Sequence, residues 1–279
     1  MFKKGIILAG GLGTRLYPIT KVLSKQILPV YDKPMIYYPL GVLMKLKIKD
    51  INIISDKINI LKYKALFGNG KKLGIKIKYS IQKKPRGIAQ SILISEKFIN
   101  KSGCVLILGD NIFFGNTFDK TIIRASKKNV SRIFLKKVSD PNRYGVAKIN
   151  KNKLVKIIEK PKKFVSNLAV TGLYFYTKEV IKNAKKIKYS KRGELEITDL
   201  NNLFIQQSKM EAKVLNDEVR WFDAGTFDSL LEASNNISKY QKKNKKKIAN
   251  LEQIALKNGW IKRKYVKELM KQYNNLYFK

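Results

Sequence analysis

Short apolar runs and helical stretches alternate along the first 110 residues of this 279-residue chain. The runs at 5–9, 50–55 and 104–108 are dominated by isoleucine, leucine and valine, which predicts strands that are buried on both faces. Residues 75–81 alternate isoleucine and tyrosine with lysine and serine, which is typical of a half-exposed strand. Apolar residues at helical spacing predict helices at 35–45, 57–67 and 87–99.

Strand patterns dominate from about 131 to 176, and helical patterns follow them. Residues 144–149 and 154–159 predict a hairpin joined through Asn150, Lys151, Asn152 and Lys153, and 168–176 predict another strand. The stretch 197–207 predicts a helix that Thr198 caps. Beyond Thr226 we expect helices only, with two shorter ones near 251–257 and 264–273.

This alternation predicts an α/β fold. We expect a Rossmann-like, mostly parallel twisted sheet flanked by helices, with a strand-rich insertion at about 131–225 and C-terminal helices. The predicted division is an α/β domain at 1–238 and a helical extension at 239–279. Ligands bind beyond the carboxyl ends of the strands in such sheets, and two polar segments lie there, the glycine-rich residues after the first strand and residues 109–111.

Composition limits the chemistry available to the chain. It contains no histidine, which excludes histidine general bases and histidine metal sites, so a metal ion would have oxygen ligands, as magnesium prefers. No apolar stretch has the length of a membrane span, and no charged-then-apolar leader precedes the first strand, so we expect a cytoplasmic protein with no membrane partner. Cys104, the single cysteine, is predicted to be a buried core thiol.

The formal net charge of +39 introduces nucleic-acid binding as an alternative function. Only eight of the 59 basic residues are arginine, and the lysines are spread along the whole chain. This distribution is typical of solvated faces, so we expect no nucleic-acid partner, although the charge should speed encounters with phosphorylated small molecules. Residues 242–247 form the one dense lysine run and are predicted to be an exposed segment between helices.

The segment GIILAGGLGTRL at 5–16 carries the clearest candidate chemistry. Gly10, Gly11 and Gly13 permit a close approach of the backbone, so their N–H groups can converge on an anion. Arg15 can add a fork of donors for phosphate oxygens. The alternative is a strand that ends in a tight glycine turn. No Walker string G-x-x-x-x-G-K-[ST] occurs, and Leu16 stands where a dinucleotide fingerprint needs its third glycine.

The remaining pattern, GG-x-GTRL followed by SKQILPV, resembles the signature of the sugar-1-phosphate nucleotidyltransferase family. Further strings resemble the glucose-1-phosphate thymidylyltransferase branch of that family. They are YPITKVLSKQILPVYDKPMIYYP at 17–39, LGDNIF at 108–113, DPNRYGV at 140–146, EKP at 159–161, AVTGLYFY at 169–176, RGELEITD at 192–199 and WFDAGT at 221–226. The matches run in order from residue 4 to about residue 262, which is nearly the whole chain.

The resemblance implies that dTTP and glucose 1-phosphate are joined to give dTDP-glucose and pyrophosphate, for the synthesis of deoxysugars of the dTDP-rhamnose type and of lipopolysaccharide. The sugar phosphate is largely ionised at neutral pH, since the second pKa of a phosphate is about 6, so no general base is needed. What remains is to position the reactants and to neutralise charge. The resemblance also implies a homotetramer that dTDP-rhamnose inhibits at a second site near subunit contacts.

The resemblance further implies roles for the residues that match its motifs. Asp110 and Asp223 are implied to hold Mg²⁺, and Gln82 to read the pyrimidine edge. The residues implied to act in catalysis are Arg15, Lys25, Asp110, Lys160 and Asp223. Those implied to bind the nucleotide are Gly10, Gly11, Gly13, Thr14, Arg15, Lys25, Gln26, Gln82, Gly87 and Asp110. Those implied to bind the sugar phosphate are Asn111, Gly145, Glu159, Lys160 and Val170.

Three positions depart from the family pattern. Arg86 stands where an acidic residue usually precedes the glycine of GIAQ, Ala224 replaces a threonine, and SDK at 55–57 replaces a Ser-Thr-Pro string. Arg86 borders the base pocket, which leaves the choice of nucleobase and the regulation open. Two alternatives therefore stand beside nucleic-acid binding, namely a sister enzyme that makes UDP- or CDP-glucose and a regulatory homologue that binds sugar nucleotide without turnover.

Overall fold

Apolar side chains on both faces hold the first strands at the centre of a nine-stranded sheet. The computed structural model describes residues 2–11, 13–151 and 153–272. The strands in these residues are β1 (Lys4–Leu8), β2 (Pro29–Val30), β3 (Lys33–Pro34), β4 (Asp50–Ser55), β5 (Lys76–Ile81), β6 (Cys104–Leu108), β7 (Asn111–Phe114), β8 (Ser131–Lys137), β9 (Gly145–Asn150), β10 (Lys153–Glu159), β11 (Leu168–Tyr176), β12 (Met210–Val214) and β13 (Arg220–Asp223). The helices are α1 (Tyr37–Lys45), α2 (Lys57–Phe67), α3 (Gln90–Ile94), α4 (Glu96–Ile99), α5 (Phe118–Ser126), α6 (Val180–Ala184), α7 (Ile197–Gln206), α8 (Phe227–Asn244), α9 (Leu251–Lys257) and α10 (Arg263–Gln272).

The centre of the sheet is parallel, with strands in the order β6, β1, β4, β5. β11 joins β6 in the antiparallel direction and pairs with β9 and β8, while β12 runs parallel to β8. The strands β8 to β12 therefore extend the central sheet. This topology confirms the predicted α/β fold with helices around a mostly parallel central sheet, while the domain boundary near residue 238 stays a prediction.

Helices cover the sheet on both faces. Ile7 and Ile107 enter a core shared with α1, α2, α5 and α9. Their neighbours Ile6 and Leu106 enter a second core shared with α3, α4, α6 and α7. Successive side chains of a strand point to opposite faces, which is why a continuous apolar run is needed between two helical layers.

A third apolar cluster attaches the long helix α8 to a separate two-stranded ladder of β7 and β13. Ile112 and Phe114 of β7 pack in this cluster with Ala233 and Ile237 of α8. A capping box at Thr226 begins α8, because the Thr226 hydroxyl accepts from the Ser229 N–H and the Ser229 hydroxyl accepts from the Thr226 N–H. The cluster and the cap together set the position of the chain directly after β13.

Several predicted elements have the bounds that the structure shows. The strands at 50–55, 104–108 and 168–176 and the helix at 57–67 are confirmed. The hairpin of β9 and β10 is also confirmed, although Asn152 in its turn lies outside the described residues, as does the last residue of the helix predicted at 264–273. No helix in the described ranges is long and apolar enough to cross a membrane. Cys104 is fully buried as predicted.

The predicted helix at 87–99 is wrong in its first turn and in its continuity. Arg86 O accepts from Leu195 N at 2.8 Å and Ala89 N donates to Leu195 O at 3.2 Å, so tertiary pairing keeps residues 86–89 out of the helix. The helix begins at Gln90 and is divided at Ser95, whose hydroxyl accepts from the Asn52 side chain at 2.9 Å. Neither partner is near in sequence, so the local pattern could not indicate the break.

Two smaller predictions are also corrected. Thr198 does not cap α7, because Glu196 occupies the N-cap position and the Thr198 hydroxyl donates to Glu159 Oε2 at 2.6 Å. Residues 242–247 are not wholly a connection between helices, because α8 continues through Asn244. Lys247 at the end of this run pairs with Asp32 at 3.5 Å.

Asp56, in the SDK string at 55–57 that departs from the family pattern, caps the start of α2. Substitution of this residue tests the fold. Asp56 accepts from the Asn59 main-chain N–H at 2.9 Å. Burial alone would raise the pKa of Asp56, but hydrogen bonds from Asn59 and Ile58 lower it below 3.8. Asp56→Ala should lower the free energy of unfolding by about 1 kcal/mol at pH 7 in urea denaturation.

The pH dependence of that loss follows from the lowered pKa. A carboxylate with a lowered folded-state pKa stabilises the protein above its unfolded pKa and loses that effect as the pH falls through the folded value. The gap between wild type and Asp56→Ala should therefore narrow in acid. Asp56→Asn keeps a capping oxygen and should stay close to wild type at pH 7. Equal stability of wild type and Asp56→Ala at pH 7 would contradict the capping role.

Candidate active site

Eight of the residues that the sequence indicates line one cleft beyond the carboxyl ends of β1 and β6. Its volume is about 640 Å³. The eight are Arg15, Asp110, Asn111, Gly145, Glu159, Lys160, Val170 and Asp223. The other eight belong to the adjacent glycine loop and to the segments that support it, and they are Gly10, Gly11, Gly13, Thr14, Lys25, Gln26, Gln82 and Gly87.

Strand pairing brings the two predicted metal-binding carboxylates to the same place. Asp110 follows β6 after one glycine, and β13 runs antiparallel to β7 so that Asp223 lies opposite Asn111. The Ala224 N–H then donates to the Asp110 carbonyl at 3.1 Å. Backbone hydrogen bonds thus bring together residues that are 113 positions apart in sequence.

The two carboxylates influence each other through their charges. Burial, followed by the charge of Asp110, raises the pKa of Asp223 to about 6. Burial would also raise the pKa of Asp110, but the Lys25 ammonium, which pairs with Asp110 Oδ2, and a hydrogen bond from Asn111 lower it below 3.8. Of the two carboxylates, Asp223 is therefore the one that gains a proton more readily.

This donor set suits a hard divalent cation. Two carboxylates lie together at the wall of the cleft, and a magnesium ion takes one or two carboxylates together with water and substrate phosphates. Within the described residues no group of three or more histidine, cysteine, aspartate or glutamate side chains is arranged to hold a metal. The described residues thus offer no metal site made of protein ligands alone. The Asp110–Asp223 pair fits a metal ion whose remaining ligands come from substrate and water.

The glycine loop is held at the edge of the cleft by hydrogen bonds to its carbonyls. The Thr20 hydroxyl donates to Gly13 O at 2.9 Å, and Gln26 Nε2 lies 3.4 Å from Gly10 O. Leu12 lies outside the described residues. A Cβ on Gly10 would lie 2.5 Å from Gln82 Oε1, so this position requires glycine for space.

Arg15 emerges from this loop beside the carboxylate pair. Its Nη2 lies 3.0 Å from the place that a Cβ on Gly225 would occupy, and Asp223 Oδ1 lies 3.3 Å from the same place. Arg15 also lowers the pKa of Asp223 against the larger effects of burial and of Asp110. The guanidinium therefore stands where it can neutralise anions that enter next to Asp223.

The Asn111 side chain is engaged with protein groups rather than pointing freely into the cleft. Its Oδ1 accepts from the Gly172 N–H at 2.9 Å and from Trp221 Nε1 at 2.7 Å. Its Nδ2 donates to Asp110 Oδ1 at 3.0 Å. Because a main-chain N–H can only donate, the Gly172 contact sets which end of the amide faces Asp110. Trp221 and Gly172 thus position Asp110 through Asn111.

A cluster of charged residues forms the opposite wall of the cleft. Glu159 Oε2 accepts from the Thr198 hydroxyl at 2.6 Å, and Arg192 lies 3.6 Å from Glu159 Oε1. Arg192 also donates to both oxygens of Glu196 at 2.9 Å. The motif RGELEITD contains three of these residues, but its letters alone did not indicate that they support Glu159.

Gly87 lies against the segment that carries this wall. Its φ is +97°, and a Cβ there would collide with the backbone of Leu195. The glycine is therefore required by contact with the segment that carries Glu194 and Glu196. The sequence predicts that Gly87 lets the backbone approach a nucleobase, and this stays a prediction. The structure shows that the Leu195 backbone is also a close neighbour of Gly87.

Comparison with known proteins agrees with this arrangement. A family model described as nucleotidyl transferase matches residues 4–240. A curated glucose-1-phosphate thymidylyltransferase of Neisseria meningitidis is 46% identical over 268 residues, which cover 95% of this chain and 93% of that protein. The resemblance found in the sequence motifs thus extends over nearly the full length of both chains.

Solved structures share the fold. A crystal structure described as a glucose-1-phosphate thymidylyltransferase from Bacillus anthracis in complex with sucrose matches with a TM-score of 0.77 at 42% identity, covering 84% of this chain and 94% of that chain. A UDP-glucose pyrophosphorylase complexed with UDP-glucose matches with a TM-score of 0.75 at 25% identity, covering 87% of this chain and 100% of that chain. Identity is thus higher to the thymidylyltransferase structure than to the uridylyl structure.

The role of Asn111 as a support can be tested by stability. Asn111→Leu removes the acceptor for two buried donors, so the free energy of unfolding should fall by about 2–4 kcal/mol. Asn116→Leu is the matched control, since the Asn116 amide accepts from the Tyr240 hydroxyl at the surface, and its effect should stay within about 0.5 kcal/mol. Urea denaturation measures both. A similar loss in the two variants would exclude the positioning role.

Proposed function

The chain belongs to the nucleotidyl transferase family, and we propose that it transfers the thymidylyl group of dTTP to glucose 1-phosphate, giving dTDP-glucose and pyrophosphate. The observation that carries this proposal is the partly buried Asp110–Asp223 pair at the carboxyl edge of the sheet, which lines one cleft together with Arg15 and Lys160. Nucleotidyl transfer requires carboxylates that hold a metal ion and positively charged side chains that neutralise the phosphates. This cleft offers both.

The reaction needs positioning and charge neutralisation rather than a base. An oxygen of the sugar phosphate attacks the α-phosphorus of dTTP, the bond from that phosphorus to the bridging oxygen breaks, and pyrophosphate leaves. The attacking oxygen is already ionised, since the second pKa of a phosphate is about 6. A chain without histidine can therefore perform this chemistry.

On the nucleotide side, backbone N–H groups of Gly10, Gly11, Gly13 and Thr14 cradle the triphosphate. Arg15 and Lys25 neutralise the departing pyrophosphate. Lys25 is supported in this role by its place beside Asp110, with which it pairs. Gln26 acts through the loop, because its amide contacts the Gly10 carbonyl.

The base and the sugar occupy opposite ends of the site. Gln82 contacts the pyrimidine edge and Gly87 passes beside it. Lys160 binds the sugar phosphate and Glu159 accepts hydrogen bonds from glucose hydroxyls. Gly145, Val170 and Asn111 shape the sugar pocket, which is supported by their place in the lining of the cleft.

Magnesium is the cofactor that we propose, with Asp110 and Asp223 as its protein ligands. When bound, it neutralises charge on the phosphate oxygens around the transferring phosphorus. The raised pKa of Asp223, about 6, supports this assignment, because a divalent cation would relieve the repulsion that Asp110 imposes on it. Lys25 provides part of that neutralisation to Asp110 from within the chain.

We further propose a homotetramer and a place at the start of dTDP-deoxysugar synthesis for lipopolysaccharide. The family resemblance supports both. Apolar side chains on the outer side of α2 are consistent with contacts between copies, since Ile58 is 70% exposed and Leu61 is 64% exposed.

Product identification tests the function directly. With Mg²⁺, glucose 1-phosphate and equal dTTP and UTP, dTDP-glucose should be the main product, measured by anion-exchange chromatography. Thymine and uracil differ by one methyl group, and that contact should contribute a preference of about 10-fold to 200-fold. A larger yield of UDP-glucose would identify the sister enzyme. Absence of both products, together with nucleic-acid binding that persists at physiological salt, would favour the nucleic-acid alternative.

The metal ligands are tested by substitution. Asp110→Ala and Asp223→Ala should each lower kcat by about 10²-fold or more, because the charge stabilisation of the transferring phosphoryl group is lost. Pyrophosphate release across a magnesium titration is the measurement. Asp217→Ala is the matched control, since the Asp217 side chain is 95% exposed and lies outside the cleft. Full rate in either active-site variant would refute the assignment.

A further inference from the structure

A hydrogen-bonded chain of main-chain and side-chain groups lies behind the proposed base-reading residue. Gln82 is only 5% exposed, and its Nε2 donates to Gln90 Oε1 at 2.7 Å. The Arg86 main-chain N–H donates to the same oxygen at 3.1 Å. Gln90 is therefore a single acceptor shared by two donors.

The polarity of this chain is determined by the backbone. A main-chain N–H can only donate, so the Gln90 atom that faces Arg86 must be the carbonyl oxygen. The Gln82 atom that faces the same oxygen must then be its nitrogen. Both amide orientations follow from one backbone donor, so neither glutamine is free to exchange its oxygen and nitrogen without losing a hydrogen bond.

The other end of the Gln82 amide faces the phosphate loop. Gln82 Oε1 lies 2.5 Å from the place that a Cβ on Gly10 would occupy. Among residues 2–11, 13–151 and 153–272, no donor contacts this oxygen, and it is not among their fully buried polar atoms without a partner. An acceptor thus stands unused at the edge of the site where the nucleotide enters.

The backbone at Arg86 is itself held by the opposite wall of the cleft, through the Arg86 carbonyl. Arg86 O accepts from Leu195 N at 2.8 Å, and Ala89 N donates to Leu195 O at 3.2 Å. The Arg86 side chain takes no part in this pairing and lies over the Tyr189 ring at 5.8 Å. The arginine side chain that departs from the family pattern at position 86 therefore leaves the main-chain N–H of Arg86 free to donate to Gln90.

We propose that Gln90 is a positioning residue that, with the Arg86 N–H, holds Gln82 with its carbonyl oxygen toward the base. This selects pyrimidines whose ring nitrogen N3 carries a hydrogen, such as thymine and uracil, over cytosine, whose N3 is an acceptor. The inference rests on the proposed function, because it takes Gln82 as the contact to the base. Gln90 itself does not touch the substrate.

Two substitutions separate this role from simple packing. Gln90→Leu removes the shared acceptor and frees the Gln82 amide to turn. Gln90→Glu keeps an oxygen that can accept from both Arg86 N and Gln82 Nε2. Gln206→Leu is the matched control, because Gln206 is an exposed residue on α7 that is absent from the cleft lining.

Steady-state kinetics with dTTP and with dCTP give the main readout. In Gln90→Leu the KM for dTTP should rise about tenfold, and the ratio of kcat/KM for dTTP over dCTP should fall about tenfold, the effect of one hydrogen bond. The kcat with dTTP and the KM for glucose 1-phosphate should change little. Gln90→Glu should retain most of the wild-type preference, and Gln206→Leu should match wild type.

Other results would overturn the inference. They are an unchanged preference in Gln90→Leu, an equal loss of preference in Gln90→Glu, or a rise in both KM values with a fall in kcat. Equilibrium binding of dTTP and dCTP by calorimetry, without glucose 1-phosphate, separates this proposal from the function. If wild type prefers dTTP in binding and Gln90→Leu loses that preference, the inference is supported even when no transfer occurs. If wild type transfers the nucleotide but Gln90→Leu keeps the preference, the inference about Gln90 is refuted and the proposed function stands.

Discussion

Repulsion between two partly buried carboxylates, Asp110 and Asp223, is the constraint on which the site depends. Antiparallel pairing of β13 with β7 places Asp223 beside Asp110, and burial would be costly for both charges without nearby cations. Lys25 and Arg15 lie around the pair for this reason, and a substrate-bound metal completes the neutralisation in the function that we propose. The third apolar cluster and the Thr226 capping box fix the position of the β7–β13 ladder, which brings the two carboxylates together.

Main-chain donors set the direction of the polar side chains around the cleft. The Gly172 N–H determines which end of Asn111 faces Asp110, and the Arg86 N–H determines the orientation of Gln90 and, through it, of Gln82. A backbone N–H cannot change its polarity, so it holds an amide in one orientation without a charged partner. Substitutions of such outer residues should therefore act on substrate recognition before they act on the chemical step.

Agreement between sequence and structure is best where local pattern and tertiary environment demand the same thing. The strand at 104–108 was predictable from its continuous apolar character, and the helix at 57–67 from its helical spacing, because each pattern suffices to specify its element. The first turn of the predicted helix at 87–99 failed because Leu195 pairs with residues 86–89. Thr198 failed as a cap because Glu159, distant in sequence, takes its hydroxyl.

The amino-acid sequence by itself determined the order of strands and helices, the exclusion of histidine chemistry and the motif residues that mark the family, because these depend on residue type and on short spacings. Only the tertiary structure decided three further properties. Burial and the charge of Asp110 raise the pKa of Asp223, Asn111 supports Asp110, and Gln90 orients Gln82. These properties arise from distances and hydrogen-bond directions between segments far apart in the chain. Such directions exist only after the sheet has brought the segments together.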